Sequence, residues 1–344
     1  MKRRSIIFKA PFEIEIAAET LPGVGPAEVL VETKFSAISH GTEMLVYRGL
    51  FPADMAVDET IPGLQRPLQY PLKYGYAAIG EIIKVGSQVN RELIGRMVYG
   101  LHPHASCFIA GVNAVFPVPP DIDPLDALFL ANMETAVNFL MDGSPVIGEK
   151  VVVFGQGVVG LLSTALLASF PLTALLTLDN FRLRREASRR VGAHLTLDPA
   201  QPDSLEQAIQ WLEPDASEGS ADLVYELSGD PRALNPAIAV TGFDGRIVIG
   251  SWYGRKQAAL ELGGRFHRKR IRLISSQVSS VTPALSARWS KQRRLDTAWD
   301  MIRRVRPAQF ITHQIPFSQA QEAFAVIDND PASTIQVVLD YAYG

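Results

Sequence analysis

The chain has 344 residues, of which 47% are hydrophobic and 20% are charged. This length and composition exclude a disordered chain and indicate two globular domains, each able to bury its own core. The net charge of -3 gives no general reason to expect a nucleic acid as partner. The basic N-terminus lacks the apolar core of a signal peptide, so we expect a cytoplasmic protein.

Short apolar runs separated by proline and glycine predict a β-rich region over residues 1–120. The strands expected there lie at 6–8, 12–16, 28–33 and 76–86. An irregular loop is expected over 62–71, which holds three prolines, and a boundary over 117–124, which holds four.

The single cysteine, Cys107, excludes an internal disulfide and a structural zinc site built from four cysteines. It lies close in the chain to His102 and His104, so a His/His/Cys metal site is one interpretation. The other interpretation is a loop that leads into a strand and buries the thiol, because free cysteine behaves as a small hydrophobic residue.

From residue 151 the pattern changes to strands that alternate with helices, as a doubly wound parallel sheet requires. The strand at 151–154 leads into Gly155, Gly157 and Gly160, which have the G-x-G-x-x-G spacing. The first glycine permits a tight turn, the second lets backbone approach a pyrophosphate, and the third lets the helix pack against the strand. The phosphates would lie at the helix N-terminus, where the helix dipole favours negative charge.

The next strand, expected at 173–178, ends at Asp179, 24 residues after Gly155. A carboxylate there binds the adenosine ribose hydroxyls and repels a 2′-phosphate, so the predicted cofactor is NAD. NADP is the alternative, because Arg182, Arg184 and Arg185 could pair with that phosphate, unless they form a solvated helix face. A glycine-rich turn that binds no nucleotide is the remaining alternative for the motif.

Residues 151–178 carry no charge and would be long enough to span a bilayer, but three glycines and Pro171 interrupt the run, so we reject a membrane helix. Further helices are expected near 126–142, 182–191, 205–212, 295–304 and 319–327. Further strands are expected near 222–229, 245–250, 271–274 and 335–339, the last one rejoining the β-rich region. The basic run at 265–272 and the cations at 288, 291, 293 and 294 form either a solvated loop or a surface for an acidic small-molecule substrate.

This order of elements resembles the medium-chain dehydrogenase/reductase superfamily. The stretches that carry the resemblance are 35–49, 74–86, 134–136 and 191–193, together with the glycine motif and Asp179. The resemblance implies an α/β fold with a GroES-like β-rich catalytic domain and a Rossmann doubly wound parallel sheet. We place the catalytic domain at 1–125, the Rossmann domain at 126–280 and the return to the catalytic domain at 281–344.

The chain departs from the zinc-dependent members of this superfamily at all three ligand positions. The resemblance implies a cysteine where this chain has Ser39 or His40, a histidine at Tyr76, and a cysteine or aspartate near Ala131. Without those ligands the family's tetrahedral catalytic zinc cannot be assembled, so zinc is not expected. The Ser-x-Gly-Thr-Glu variant at 39–43 is similar to the branch that contains bacteriochlorophyllide dehydrogenase.

In the absence of zinc, side chains at these positions must stabilise the substrate oxygen. The candidates are Ser39, His40, Thr42, Glu43 and Tyr76. We hypothesise that Tyr76 or His40 donates a proton to that oxygen, with Ser39 or Thr42 in the proton relay. Alternatively, the Tyr76 ring only fills the volume vacated by the metal and its ligands.

The resemblance also assigns residues to the two ends of the cofactor. Thr135, Gly250 and Ser251 are expected at the nicotinamide, and Arg184 over the adenine. A homodimer joined through the strand near 271–276 is implied as well. The function expected is therefore a zinc-independent NAD(P)-dependent oxidoreductase that transfers a hydride between an alcohol and a carbonyl compound, or that reduces an activated double bond.

Two alternatives to this function stay open. One is a zinc-dependent alcohol dehydrogenase with the atypical ligands His40, His102, His104 and Cys107. The other is a protein that binds NAD(H) without catalysis. The sequence does not identify the substrate, because fold resemblance does not fix chemistry.

Overall fold

The computed structural model describes residues 2–52, 54–55, 67–214 and 219–342. The chain divides into two compact units, one formed by Met1–Ala131 with Arg306–Gly344 and the other by Asn132–Val305. Of the loop expected over 62–71, residues 62–66 lie outside the described residues. Within the described ranges, no helix combines the length and the apolar character that crossing a membrane requires.

The described residues contain both β-strands and α-helices. The strands are β1 (Lys2–Ala10), β2 (Glu13–Thr20), β3 (Glu28–Ile38), β4 (Ala78–Val85), β5 (Met97–Gly100), β6 (Cys107–Gly111), β7 (Val115–Pro117), β8 (Lys150–Phe154), β9 (Ala174–Leu178), β10 (Leu195–Leu197), β11 (Ala221–Glu226), β12 (Thr241–Ile249), β13 (Arg272–Ser275), β14 (Ile311–Pro316) and β15 (Gln336–Asp340). The helices are α1 (Thr42–Tyr47), α2 (Pro124–Ala127), α3 (Leu130–Gly143), α4 (Val158–Leu167), α5 (Arg182–Arg190), α6 (Ser204–Leu212), α7 (Leu234–Val240), α8 (Lys291–Val305) and α9 (Ala320–Asn329).

The first unit is built on a mixed sheet with the strand order β14-β15-β3-β4-β5-β7, and β6 also pairs with β3. Strand β15 runs antiparallel to β3, which confirms that the last strand of the chain rejoins the N-terminal region. The core beside this sheet includes Phe8 and Phe324, whose rings meet edge to face at a centroid distance of 5.3 Å. This rigid sheet carries α1 and the turn before it at the end of β3.

The second unit is a six-stranded parallel sheet with the order β10-β9-β8-β11-β12-β13. Its central strands are almost wholly buried, as expected when helices cover both faces of a parallel sheet. The strand order reverses between β8 and β11, so the carboxyl ends of these strands form the crevice where such folds bind nucleotides. The predicted α/β class with a Rossmann sheet is confirmed.

The helix expected over 126–142 is divided into two helices. Asp123 caps α2 by accepting a hydrogen bond from the backbone N–H of Leu125 at 2.8 Å, with Pro124 as the first helical residue. The chain then buries Leu128 and Phe129 before α3 begins at Leu130. At this junction the backbone N–H of Phe129 donates to the carbonyl oxygen of Asp126 at 3.2 Å, which is a tighter turn than that of an α-helix.

Candidate functional site

The glycine turn between β8 and α4 needs two of its glycines for packing and keeps open space at the third. Gly155 has φ +87°, and a Cβ there would lie 2.5 Å from Cα of Ser228. A Cβ at Gly160 would lie 2.1 Å from the carbonyl oxygen of Gly155, which would prevent α4 from approaching the strand. Gly157 caps α4, and a Cβ there would meet no atom within 4 Å. The N-terminus of α4 is thus open to a phosphate group.

Asp179 follows the last residue of β9 and is buried beside this turn. Its Oδ2 accepts a hydrogen bond from the backbone N–H of Gln156 at 2.7 Å, and its Oδ1 accepts one from Phe181 at 2.8 Å. A carboxylate has about four lone-pair positions, so about two remain for the hydroxyls of a ribose. The turn and this carboxylate therefore fit the adenosine half of a nicotinamide nucleotide.

Gln156 shapes the same turn, a role that the spacing of the glycines did not indicate. Its side chain is fully buried, with Nε2 donating to the carbonyl oxygen of Gly155 at 3.0 Å. Thr164, in the second turn of α4, donates its hydroxyl to Oε1 of Gln156 at 2.9 Å. Hydrogen bonds of the Gln156 and Thr164 side chains therefore hold the turn in place.

The three arginines after Asp179 have partners inside the protein. Arg182 pairs with Glu186 at 2.7 Å, and Arg185 donates to the carbonyl oxygens of Asp179 and Asn180, each at 2.8 Å. Arg184 lies 4.7 Å from the centroid of the Phe181 ring, and burial lowers its pKa although the nearby Asp179 acts against this. The expected place of Arg184 over the adenine stays a prediction.

The residues expected at the nicotinamide lie at two places in the second unit. Thr135 is in the second turn of α3, which begins at Leu130. Gly250 and Ser251 follow β12, and a Cβ at Gly250 would lie only 2.3 Å from Cζ of Phe139. Ser251 Oγ accepts a hydrogen bond from the backbone N–H of Gly229 at 2.8 Å. Their contact with a nicotinamide stays a prediction.

Glu226, the last residue of β11, forms hydrogen bonds at the crevice between the ends of β8 and β11. The sequence did not identify it as a site residue. It is fully buried, and its Oε1 accepts a hydrogen bond from the backbone N–H of Ser228 at 2.8 Å. Its Oε2 accepts the hydroxyl of Tyr253, whose pKa is raised by burial and by the carboxylate. Glu226 therefore fixes Ser228, the residue that lies against Gly155.

In the first unit, Tyr76 and Ser39 form a coupled pair of hydroxyl groups. Tyr76 donates its hydroxyl to Ser39 Oγ at 2.6 Å, and Thr42 donates its backbone N–H to the same oxygen at 3.3 Å. Tyr99 holds the backbone of Tyr76 by donating its hydroxyl to that carbonyl oxygen at 2.8 Å. Ser39, His40, Thr42 and Tyr76 are all partly buried. The pair Tyr76–Ser39 is able to donate or accept a proton.

Behind this pair lies a buried polar network that was not predicted. Glu43 accepts hydrogen bonds from the backbone N–H of Ser39 at 2.9 Å and from Nε2 of His104 at 2.7 Å. The other ring nitrogen of His104 lies 2.7 Å from Ser36 Oγ, which in turn lies 2.8 Å from the hydroxyl of Tyr341. Glu43, His104 and Ser36 are all fully buried.

These residues do not fit the zinc centre that the fold family implies. The hydroxyl of Tyr76 is hydrogen-bonded to Ser39, and Ala131 has no donor atom in its side chain. Over the described part of the chain, no group of three or more His, Cys, Asp or Glu side chains could hold a metal ion. The alternative set His40, His102, His104 and Cys107 is therefore not assembled as a ligand group.

His102 and Cys107 are used in packing instead. His102 stacks on Phe108 at a centroid distance of 4.5 Å, and burial lowers its pKa to about 4 although its hydrogen bond to the Pro103 carbonyl acts against this. Cys107 is buried at the start of β6, and burial raises the pKa of its thiol. The interpretation of Cys107 as a buried thiol is confirmed.

The basic run at 265–272 and the cations on α8 are not one solvated surface. Arg265 is partly buried and donates to the carbonyl oxygen of Thr241 at 2.7 Å. Arg294 is 1% exposed and is paired with Glu134 at 3.0 Å. Both arginines contribute to the fold. The exposed cations of the two stretches remain for the acidic-substrate hypothesis, namely Arg268, Arg270, Arg272, Arg288, Lys291 and Arg293.

No family model matches this chain. Relatives nevertheless match it over most of its length. D-guloside 3-dehydrogenase of Escherichia coli K12 is 24% identical over 330 residues, covering 90% of this chain and 92% of the relative. The 2-desacetyl-2-hydroxyethyl bacteriochlorophyllide A dehydrogenase of Cereibacter sphaeroides is 23% identical over 370 residues and covers 99% of both chains.

Solved structures share the fold of the whole chain. A protein of Escherichia coli CFT073 described as a short chain alcohol dehydrogenase, in complex with NADH, superposes with a TM-score of 0.79 at 17% identity and 99% coverage of both chains. A Sinorhizobium meliloti 1021 protein, provisionally classed as a zinc-binding dehydrogenase and bound to NADP, gives 0.78 at 19% identity and the same coverage. In its fold, its nucleotide turn and its relatives, this chain is therefore similar to the NAD(P)-dependent oxidoreductases of the medium-chain dehydrogenase/reductase superfamily.

Proposed function

We propose that the protein is an NAD-dependent oxidoreductase that needs no zinc and interconverts a secondary alcohol and its carbonyl compound. The observation that carries the proposal is the hydrogen bond of 2.6 Å between Tyr76 Oη and Ser39 Oγ. Hydride transfer to a carbonyl carbon builds negative charge on the oxygen, which a metal ion or a proton donor must stabilise. Two coupled hydroxyl groups are able to supply that proton.

The hydrogen bonds around Ser39 suggest the direction of proton transfer. Ser39 Oγ accepts hydrogen bonds from Tyr76 and from the Thr42 N–H, so its own proton is the one directed at a further acceptor. In the reducing direction, Ser39 donates its proton to the substrate oxygen and takes the proton of Tyr76. Tyr76 is only partly buried, so water returns a proton to it. His40, the next residue after Ser39, is the second candidate donor.

The second unit supplies the nucleotide-binding residues. When bound, the nicotinamide nucleotide supplies or accepts the hydride. The open N-terminus of α4 at Gly157 receives the pyrophosphate, and the free lone pairs of Asp179 receive the ribose hydroxyls. NAD is favoured over NADP because the Asp179 carboxylate repels a 2′-phosphate, while Arg182 and Arg185 already have partners.

The two relatives suggest where to begin the search for a substrate. One is named as a 3-dehydrogenase of D-guloside, and the other as a dehydrogenase of a bacteriochlorophyllide that carries a hydroxyethyl group. The carbon-3 hydroxyl of a sugar ring is a secondary alcohol. We therefore place glycosides and other secondary alcohols first in a panel, followed by ketones, enones and quinones.

A homodimer is part of the proposal. Strand β13 is the last strand in the order of the parallel sheet among the described residues, so one of its edges is available for pairing with the same strand of a second copy. Light scattering on the purified protein tests this, and a monomer at working concentration would contradict it. The cytoplasmic location stays a prediction.

The experiment that tests the function begins with a thermal-shift titration with NADH and NADPH on protein treated with a chelator. A ligand at a hundred times its Kd stabilises the folded state by about 2.7 kcal/mol, which is readily visible. We expect a shift with NADH that chelation does not change, followed by turnover on a member of the panel. One zinc per chain with activity lost on chelation would favour the atypical zinc enzyme, and NADH binding without any turnover would favour a non-catalytic protein.

A further inference from the structure

The buried pair Glu43–His104 lies immediately behind Ser39 and Tyr76. We infer that these are positioning residues, which hold the two hydroxyl groups at hydrogen-bond distance from one another. The inference rests on the proposed function of the pair Tyr76–Ser39. Glu43 and His104 are both fully buried. They act on Ser39 and Tyr76, and this role requires no contact with the substrate.

Glu43 holds the Ser39 side of the pair. Its Oε1 accepts the backbone N–H of Ser39 at 2.9 Å, and its Oε2 accepts from His104 at 2.7 Å. A carboxylate that is wholly removed from water is stable only while its hydrogen bonds are made. The position of the Ser39 backbone is therefore coupled to the position of the His104 ring.

His104 holds the Tyr76 side through packing. Gly75, directly before Tyr76, has φ +131°, and a Cβ there would lie 3.0 Å from both Cδ2 and Nε2 of His104. The imidazole thus lies directly against the Gly75 backbone, where only glycine fits well. Displacing the ring would move the segment that carries Tyr76. The Tyr99 hydroxyl holds the same segment by donating a hydrogen bond to the Tyr76 carbonyl oxygen.

The His104 ring is itself fixed at both nitrogens. Nε2 contacts Glu43, and Nδ1 lies 2.7 Å from Ser36 Oγ on strand β3. Ser36 is held by the hydroxyl of Tyr341, directly after β15, at 2.8 Å. The backbone of His104 also accepts the N–H of Ile6 at 3.0 Å. The His104 ring is therefore tied to strand β3 and, through Ser36, to the residue that follows β15, and the His104 backbone is tied to strand β1.

The test compares Glu43→Leu, Glu43→Gln, Tyr76→Phe and the double variant Glu43→Leu/Tyr76→Phe on the substrate found in the panel. Leucine removes both acceptors, so we expect kcat to fall about 100-fold, as for a misplaced catalytic group, with KM and the Kd for NADH unchanged. Glutamine keeps an oxygen for Ser39, and its amide donates to Nε2 when His104 takes the tautomer whose proton lies on Nδ1 and faces Ser36 Oγ, so it should restore much of kcat. The double variant should be no slower than Tyr76→Phe, because Glu43 acts through that pair.

The matched control is Asp328→Asn, which breaks the 2.6 Å pair of Arg48 and Asp328 in the same unit and should leave kcat unchanged. A normal kcat in Glu43→Leu beside a slow Tyr76→Phe, or losses that multiply in the double variant, would overturn the inference. If Glu43→Leu does not fold, His104→Asn replaces it in the same scheme.

Failure of the proposed function is distinguishable from failure of this inference. A normal kcat in Tyr76→Phe would overturn the proton-donor role of the pair. A crystal structure of the Glu43→Leu variant then tests the positioning role of Glu43 independently of activity. Tyr76 Oη and Ser39 Oγ separated beyond hydrogen-bond distance would support it, and an unchanged separation would overturn it.

Discussion

The Asp179 carboxylate accepts a hydrogen bond from the backbone N–H of Gln156 at 2.7 Å. This contact joins the end of β9 to the glycine turn that follows the neighbouring strand β8. The residue proposed to select the nucleotide therefore also holds the loop that is proposed to receive its phosphates. Changes at Asp179 should alter stability and cofactor affinity together.

Asp179→Asn should weaken NADH binding at least about tenfold and narrow the preference over NADPH, because the charge that opposes a 2′-phosphate is lost. It should also lower the free energy of unfolding by about 1–3 kcal/mol, since an amide cannot accept both backbone N–H groups with its single oxygen. Isothermal titration and urea unfolding measure the two effects. Asp198→Asn, a carboxylate that pairs with Arg185 at 3.3 Å, is the control and should keep NADH affinity. Tighter binding of NADPH than NADH by the unchanged protein would contradict the assignment.

Two glycines of the same turn should respond differently to alanine. Gly155→Ala should destabilise the protein by several kcal/mol or prevent folding, because its Cβ would lie 2.5 Å from Ser228 and its φ is +87°. Gly157→Ala has open space, so it should fold with a near-normal melting temperature and yet bind NADH less well, because the methyl group projects where phosphate is proposed to lie. Thermal melts with and without NADH separate the cases. Equal NADH affinity in Gly157→Ala would argue against a phosphate there.

Removing the Tyr76 hydroxyl should slow the chemical step. Tyr76→Phe and Ser39→Ala should each lower kcat by about 10²–10⁴-fold, the range for lost general acid catalysis, without changing NADH affinity. Steady-state kinetics on the substrate found in the panel check this. Tyr70→Phe is the matched control, because it deletes a tyrosine hydroxyl that donates to the Val46 carbonyl oxygen in the same unit. Full turnover in both Tyr76→Phe and Ser39→Ala would leave the proposed donor pair without support.

The ion pair of Arg294 and Glu134 should dominate the stability of the segment before α8. Arg294 also donates to Asn138 at 2.6 Å and to the carbonyl oxygen of Ser280 at 2.9 Å. Arg294→Met should cost about 3–5 kcal/mol of unfolding free energy, because it leaves several buried acceptors without a donor. Arg293→Met, on the neighbouring exposed residue that stacks on Trp289, should cost at most about 1 kcal/mol. Urea unfolding of both variants gives the comparison, and similar losses would contradict this account.

Stability should fall with acidification through His102. Burial lowers its pKa from 6.5 to about 4, so the unfolded chain takes up a proton at higher pH than the folded protein does. The stabilisation from neutral His102 is therefore complete above pH 6.5 and is lost as the pH falls from 6.5 to about 4. His102→Phe keeps the stacking on Phe108 and should flatten that part of the profile of melting temperature against pH. The exposed His267→Gln variant should retain the slope.

Much of the nucleotide-binding unit was predictable because its signals are local. The glycine spacing, the following helix and the acidic end of the next strand all lie within one segment, from β8 to Asp179. Apolar runs also predicted the central strands correctly. The short strands β5, β7, β10 and β14 were not predicted, because their pairing with neighbours, rather than a long apolar pattern, defines them.

The polar interior was much harder to predict, because its partners are distant in the chain. Glu43 and His104 are 61 residues apart, and Arg294 and Glu134 are 160 apart. Sequence alone presented His104 as a possible metal ligand and Arg294 as part of a basic surface. Each was assigned from its nearest neighbours in the chain, whereas tertiary contacts decide which charges are buried and paired.

The pairing of β15 with β3 has a consequence for the order in which the protein forms during synthesis. The second unit is one continuous stretch, Asn132–Val305, whereas the first is completed only by Arg306–Gly344. Since domains generally fold as units while the chain emerges, the second unit should form first, and the first unit should wait until Arg306–Gly344 has been synthesised. A nascent chain halted at residue 305 would present β3 with an open edge, the kind of surface that chaperones shield from aggregation.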